Sequence, residues 1–199
     1  VTVPIPGRFT VYNALGALAC CYDLGIPLAK AIQALEKVPP VKGRLEIVPV
    51  PAPYTVVIDY AHTPDALEQV LADARRVTQG RLICLFGCGG DRDKTKRPVM
   101  GEIAASLSDL VILTSDNPRT EDPEAILDQV AAGFPRGFAD YHREPDRRAA
   151  IALALSLGRA GDVILLVGKG HETYQEIGKN RLPLDEREEI ASFFQKSKV

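Results

Sequence analysis

Apolar and polar positions follow a helical period through residues 8–24, RFTVYNALGALACCYDL. The run stops at Gly25, and Pro27 opens a second short helix to about Lys37. Pro39 and Pro40 fix φ and remove two backbone donors, so no helix crosses VPPVKG at 38–43. That segment is the expected domain boundary. Beyond it the period changes. Short, β-branched apolar runs at 45–50, 55–59, 82–86, 110–114, 138–141 and 163–167 read as strands. Amphipathic segments at 64–77, 96–107, 123–132, 146–157 and 185–194 read as helices, and 175–184, with Gly178-Lys179-Asn180 in its middle, as a hairpin. The alternation predicts an α/β sheet with helices on both faces.

In such sheets ligands bind where strands end and helices begin. Four strand exits carry charged or glycine-rich residues: DYAHTPD at 59–65, GCGGDRDK at 87–94, SDNPRT at 115–120 and GKGHE at 168–172. All four leave strand C-termini, so they should converge on one edge as a shared site.

In the first loop, Thr63, Pro64 and Asp65 form a helix start, with a cap, a proline and an acidic first turn. Asp59 closes a buried strand and needs a partner, either ribose hydroxyls or a backbone amide. His62 could stack on a base, contact a phosphate, or serve as an ordinary polar residue. The second loop is no phosphate cradle. Arg92 stands where GxGxxG needs its last glycine, and the chain holds no GxxxxGK[ST]. What remains is a glycine hinge delivering Arg92, Lys94, Lys96 and Arg97 beside Asp91 and Asp93. That local positive excess suits an anion, although a solvated charge run has the same pattern.

The third loop is the sharpest. Asn117-Pro118 imposes an extended or turn conformation, and Asp122-Pro123-Glu124 starts the next helix. Arg119 in that rigid turn can fork a carboxylate, while Asp116 and Asn117 offer acceptors to an ammonium group. A capped turn with a surface salt bridge is the simpler alternative. In the fourth loop Gly168 and Gly170 permit close approach of a ligand around Lys169, followed by His171 and Glu172. Both signs of charge are displayed together, which fits a zwitterionic ligand better than a polyanion.

Composition changes little in this picture. The 199 residues suit one domain, at about 100–200 residues each, with a piece of another. The 46% hydrophobic and 25% charged fractions exclude long disorder. No run of about 18 apolar residues spans a membrane, and the N-terminus lacks the pattern of a signal peptide. The chain starts at Val1 and has Met100 as its single methionine, so it is expected to be a piece of a longer protein. A net charge of −2 argues against a nucleic-acid partner. Cys20, Cys21, Cys84 and Cys88 lack zinc-ligand spacing and read as reduced thiols of a cytoplasmic protein. Cys88, in the glycine loop, is the one expected near chemistry.

GRFTVYNALGA, KGRLEIV, IDYAHTPDAL, FGCGGDRDKTKRPVMG, SDNPR and GKGHETYQ, in that order, resemble the last third of the Mur ligases. The resemblance runs through nearly the whole chain. It is strongest to the branch that adds meso-diaminopimelate to UDP-N-acetylmuramoyl-L-alanyl-D-glutamate. It implies that residues 1–40 end a central ATP-binding domain and that 41–199 form a Rossmann-like C-terminal domain. It also implies ATP and Mg2+ as cofactors, with the phosphate grip, the magnesium ligands and a carbamylated lysine all upstream. No catalytic or metal residue is therefore assigned within the chain.

The implied reaction activates the glutamate γ-carboxylate as an acyl phosphate, which the diaminopimelate amine attacks. By resemblance Arg92, Asp116, Asn117, Arg119, Gly168 and Glu172 bind diaminopimelate, while Asn13, Arg44, Asp59 and His62 lie on the ATP side. Arg119 is the expected reader of the far carboxylate that L-lysine lacks, and Glu172 is expected to hold the far ammonium. The UDP-linked dipeptide would bind through domains outside this chain. Two alternatives remain: another amide ligase of the superfamily, of folylpolyglutamate or cyanophycin type, and a stand-alone nucleotide- or amino-acid-binding module.

Overall fold

A computed structural model of the chain describes residues 2–196. Two helices, α1 (Arg8–Asp23) and α2 (Leu28–Leu35), precede a linker and an α/β unit. That unit runs β1 (Glu46–Val48), β2 (Thr55–Asp59), α3 (Pro64–Val77), β3 (Leu82–Phe86), α4 (Lys96–Leu107) and β4 (Leu110–Leu113). It continues α5 (Pro123–Ala131), β5 (Tyr141–Arg143), α6 (Arg147–Leu157), β6 (Val163–Val167), β7 (Tyr174–Ile177), β8 (Asn180–Pro183) and α7 (Glu186–Lys196).

The main sheet has the order β1-β2-β6-β3-β4-β5; β1 is antiparallel to β2 and the other pairs are parallel. Side-chain alternation divides the strands between two cores. Val57, Cys84, Phe86, Val111, Leu113 and Leu165 meet Leu67, Leu71, Met100, Ala104, Leu127 and Val130 of α3–α5. Val56, Ile58, Ile83, Leu85, Ile112 and Leu166 meet Ala150, Ile151, Leu155 and Ile190 of α6 and α7. Both faces are covered, as the near-continuous apolar runs require.

The chain steps from β2 to β3, β4 and β5 with α3–α5 on one face. It then returns through α6 on the other face to insert β6 between β2 and β3. The strand order reverses there, and in open α/β sheets the C-terminal ends of the strands at such a reversal, here β2, β6 and β3, are where ligands bind. The helix starts hold as expected: Thr63 Oγ1 accepts from Ala66 N at 3.3 Å, and Asp122 and Asp146 cap α5 and α6.

One strand departs from the sequence reading. β5 is Tyr141–Arg143 rather than 138–141, and its residues are exposed on the sheet edge. Phe138 packs instead against Phe134, with ring centroids 5.1 Å apart, beside the α3–α5 core. An exposed edge strand needs no apolar face, so hydrophobicity misplaced it.

The linker is pinned onto the unit. Gly43 has φ +70°, and a Cβ there would lie 2.2 Å from the carbonyl carbon of Gly170. Glu46 accepts from Gly43 N at 2.6 Å and pairs with Arg187, which also donates to Gly170 O at 3.1 Å. That guanidinium holds the Glu46 carboxyl below its ordinary range. The boundary segment and the 168–172 loop are therefore tied to each other through Arg187 and the close approach of Gly43 to Gly170.

Candidate functional site

Asp116 and Asn117 follow β4 and are buried, while Gly168 and Lys169 follow β6. Asn117 Nδ2 donates to Glu172 Oε2 at 3.0 Å, and its Oδ1 accepts from Glu176 N at 2.9 Å. Gly168 has φ +114°, a conformation L side chains rarely adopt, and an added Cβ would sit 3.6 Å from Asp116 Oδ2. Asp116, Asn117, Gly168 and Glu172 thus form one cluster across two strand exits.

Arg119 joins this cluster from the far side of Pro118. Its φ is +51°, a conformation uncommon outside glycine. The β7–β8 hairpin fixes that geometry. Arg119 N donates to Glu176 O at 3.0 Å, Arg119 Nε to Glu176 Oε2 at 3.0 Å, and Arg119 Nη1 to Gly90 O at 2.8 Å. Glu176 is shared with Arg181, whose hydrogen bond and charge, with those of Arg119, hold its carboxyl below the ordinary range. A polar cleft of about 550 Å³ opens here, lined by Asp91, Arg92, Arg119, Thr120, Glu176 and the hairpin tip. Arg92 and Arg119 both line it.

The other basic residues of the glycine loop are not free for an anion, which corrects the sequence reading. Arg97 is fully buried and donates to both oxygens of Glu121 at 2.9 Å, to Gln129 Oε1 and to Gly89 O. Lys94 pairs with Glu121 at 3.0 Å, and Lys96 Nζ donates to His62 O at 2.6 Å. The loop is instead welded to the SDNPR turn: Asp91 accepts from Thr120 N and Oγ1, and Gly90 N donates to Asn117 O. Cys88 is likewise no reactive thiol. It is buried against Met100, and burial pushes its pKa up to about 12.

On the opposite side, Asn13, Arg44 and Asp59 line a cleft of about 730 Å³ between α1 and the α/β unit. Asp59 takes the backbone-amide option. Its two oxygens accept from Leu45 N and Ala61 N, each at 2.8 Å, while burial pushes its carboxyl up against those bonds. The Arg44 guanidinium lies 4.7 Å from the Tyr60 ring, with the rings of His62 and His171 at 4.8 and 5.0 Å. His62 is exposed beside this group rather than inside the cleft. A cation, two imidazoles and a phenol suit the flat face of a base and ribose oxygens. Among the described residues no cluster of three or more His, Cys, Asp or Glu could hold a metal ion.

The 168–172 loop connects both sides, since His171 packs on Tyr60 while Glu172 bonds Asn117. Sequence reasoning missed Lys169, Glu176 and Arg147. Arg147 is fully buried, pairs with Glu186 at 2.7 Å, and donates to Ser115 O and Val167 O, the residues just before Asp116 and Gly168. A basic residue opening a helix in an otherwise apolar segment was the available signal for Arg147.

The family described as Mur ligase, glutamate ligase domain, matches residues 43–170. The chain is 50% identical over 188 residues to the UDP-N-acetylmuramoyl-L-alanyl-D-glutamate–2,6-diaminopimelate ligase of Clostridioides difficile (strain 630), covering 94% of this chain and 39% of that protein. The ligase of the same name from Synechococcus elongatus is 50% identical over 187 residues, 94% of this chain and 37% of that one. A solved structure of a ligase of that name aligns with a TM-score of 0.77 at 40% identity, over 100% of this chain and 41% of that chain. A pseudomurein peptide ligase type C from Methanothermus fervidus shares the fold, with a TM-score of 0.71 at 20% identity over 99% of this chain and 37% of that one. The chain spans about two fifths of the length of these relatives.

Proposed function

The chain belongs to the Mur ligase family, and from that premise we propose that it is the amino-acid-binding C-terminal part of an ATP-dependent amide ligase. The ligase adds meso-diaminopimelate to UDP-N-acetylmuramoyl-L-alanyl-D-glutamate, in the cytoplasm, for peptidoglycan synthesis. In this reading residues 1–40 close the central ATP-binding domain and 41–199 form the C-terminal domain. The observation that carries it is the pairing of opposite charges at one strand edge. Asp116 and Glu172 meet through Asn117 and Lys169, and Arg119 and Arg92 line the adjoining cleft.

Arg119 and Arg92 take the far carboxylate of diaminopimelate, and Asp116, Asn117 and Glu172 take the ammonium beside it. Gly168 lets the ligand approach the backbone. The other amine is thereby directed away from the charged cluster, toward the acyl phosphate. Holding the amine in an attacking geometry removes translational and rotational freedom before the reaction, an effect that reaches about 7–11 kcal/mol in well-oriented systems. ATP supplies the phosphoryl group that activates the γ-carboxylate, with Mg2+ held by residues outside this chain. Asn13, Arg44 and His62 serve the nucleotide side. Asp59 acts there by fixing the backbone of Leu45, and so the segment that carries Arg44.

The full-length protein should release ADP in the presence of the UDP-linked dipeptide and meso-diaminopimelate, and far less with L-lysine. Equal turnover of both amino acids would overturn the assignment of the far-carboxylate site. Turnover with neither would overturn the ligase reading.

A further inference from the structure

Lys169 lies between the two glycines of the fourth loop and is fully buried. Its ammonium group carries three protons and meets three acceptors: Asn117 Oδ1 at 3.0 Å, Glu172 Oε2 at 3.1 Å and Asp116 Oδ1 at 3.5 Å. The Tyr174 ring lies 5.7 Å from Nζ. All three acceptors belong to residues assigned above to the ammonium end of the amino acid. We propose that Lys169 is a positioning residue that sets the net charge of this site at minus one, so that it accepts a single alkylammonium group of a diamino acid.

The proposal rests on the amino-acid-binding reading and deepens it. Two largely buried carboxylates on neighbouring loops repel each other, and burying both without a partner is costly. The side chains of Asp116 and Glu172 are only 12% and 15% exposed, so solvent screens them little. One internal ammonium balances one of them and leaves a single negative charge for the ligand. The backbone enforces the arrangement. Positive φ at Gly168 and Gly170 turns the loop about Lys169, and Glu172 N donates to Lys169 O at 2.9 Å, folding Glu172 back over the ammonium. Lys169 also orients Asn117. With Oδ1 held by Lys169 and by Glu176 N, the amide must present Nδ2 to Glu172.

The test is steady-state kinetics on the full-length protein, comparing native, Lys169→Met, Asp116→Asn and the Lys169→Met/Asp116→Asn pair. Lys169→Met frees Asn117 and leaves Asp116 and Glu172 to repel each other out of position in a doubly negative site, and should raise the KM for meso-diaminopimelate about ten-fold or more. The KM for ATP should stay within about two-fold. Asp116→Asn alone makes the site neutral and should also raise the amino-acid KM. The pair restores a single negative charge and should lower that KM several-fold below that of Lys169→Met. A native KM in Lys169→Met, or a pair worse than either single variant, overturns the charge account and leaves Lys169 a packing residue. If circular dichroism shows that Lys169→Met does not fold, Asp116→Asn decides, since an unchanged amino-acid KM there contradicts the proposal. Absence of diaminopimelate-dependent turnover in the native protein overturns the parent reading, and this inference falls with it.

Discussion

Arg119 and Glu176 are joined twice, through the backbone (Arg119 N to Glu176 O, 3.0 Å) and through the side chains (Nε to Oε2, 3.0 Å). The hairpin that carries Glu176 is therefore part of the site, because it holds the guanidinium of the SDNPR turn in a fixed orientation. Nε and Nη1 are engaged, whereas Nη2 makes none of these bonds and in the proposed reading is the donor offered to the ligand carboxylate.

Arg119→Ala should accordingly raise the diaminopimelate KM of the full-length enzyme about 10- to 100-fold, the equivalent of about 1.5–3 kcal/mol for a charged hydrogen bond. The ATP KM should hardly change. Steady-state kinetics with each substrate varied checks this, and equal effects on both would remove Arg119 from the amino-acid site.

Glu121 should make the fold acid-sensitive. The Arg97 guanidinium, then the Asp91 amide and Lys94, hold its carboxyl well below the ordinary value of 4.5. A lowered folded pKa contributes stability that is present above the unfolded value and lost as pH falls toward the folded one. Thermal unfolding should show the midpoint dropping as pH falls below about 4.5. Glu121→Gln should be less stable at pH 7 and should flatten that acid limb.

The Arg147–Glu186 pair is buried on both sides, and Glu186 Oε2 has no partner among the described residues. Replacing Arg147 by Met strands a buried carboxylate and releases the carbonyls of Ser115 and Val167. A cost of about 3–5 kcal/mol is expected, or on the order of 6–20 °C in Tm. Replacing both residues by apolar ones should cost clearly less. Thermal denaturation of both variants measures the difference.

The thiols should divide into two classes. Cys84 and Cys88 are buried, and burial pushes both up to about 12, so neither forms a thiolate at neutral pH. Cys20 is exposed and Cys21 partly so. Alkylation at pH 8 should label only the adjacent pair in this folded 199-residue chain and all four cysteines in denaturant, as mass spectrometry of the products would report.

The core strands were legible because burial on both faces leaves continuous apolar runs. β2, β3 and β6 fall where the residues predict them, as do α3 and α4. The convergence of loops followed from their position at strand C-termini. What sequence could not give were partners distant along the chain. Arg97 looked like one of four loop cations until Glu121 and Gln129 closed around it. Lys169 stood between two glycines with no partner legible beside it, and for Asp59 the choice between ribose hydroxyls and a backbone amide was decided only by the amides of Leu45 and Ala61. β5 failed for the opposite reason, since an exposed edge strand carries no burial pattern.

The most direct test of the account is ligand-observed NMR on this chain with meso-diaminopimelate and L-lysine, repeated with Arg119→Ala. Saturation transfer to diaminopimelate is expected, with little to L-lysine and loss of the diaminopimelate signal in the variant. Equal transfer to both amino acids, or a diaminopimelate signal that survives Arg119→Ala, would contradict it.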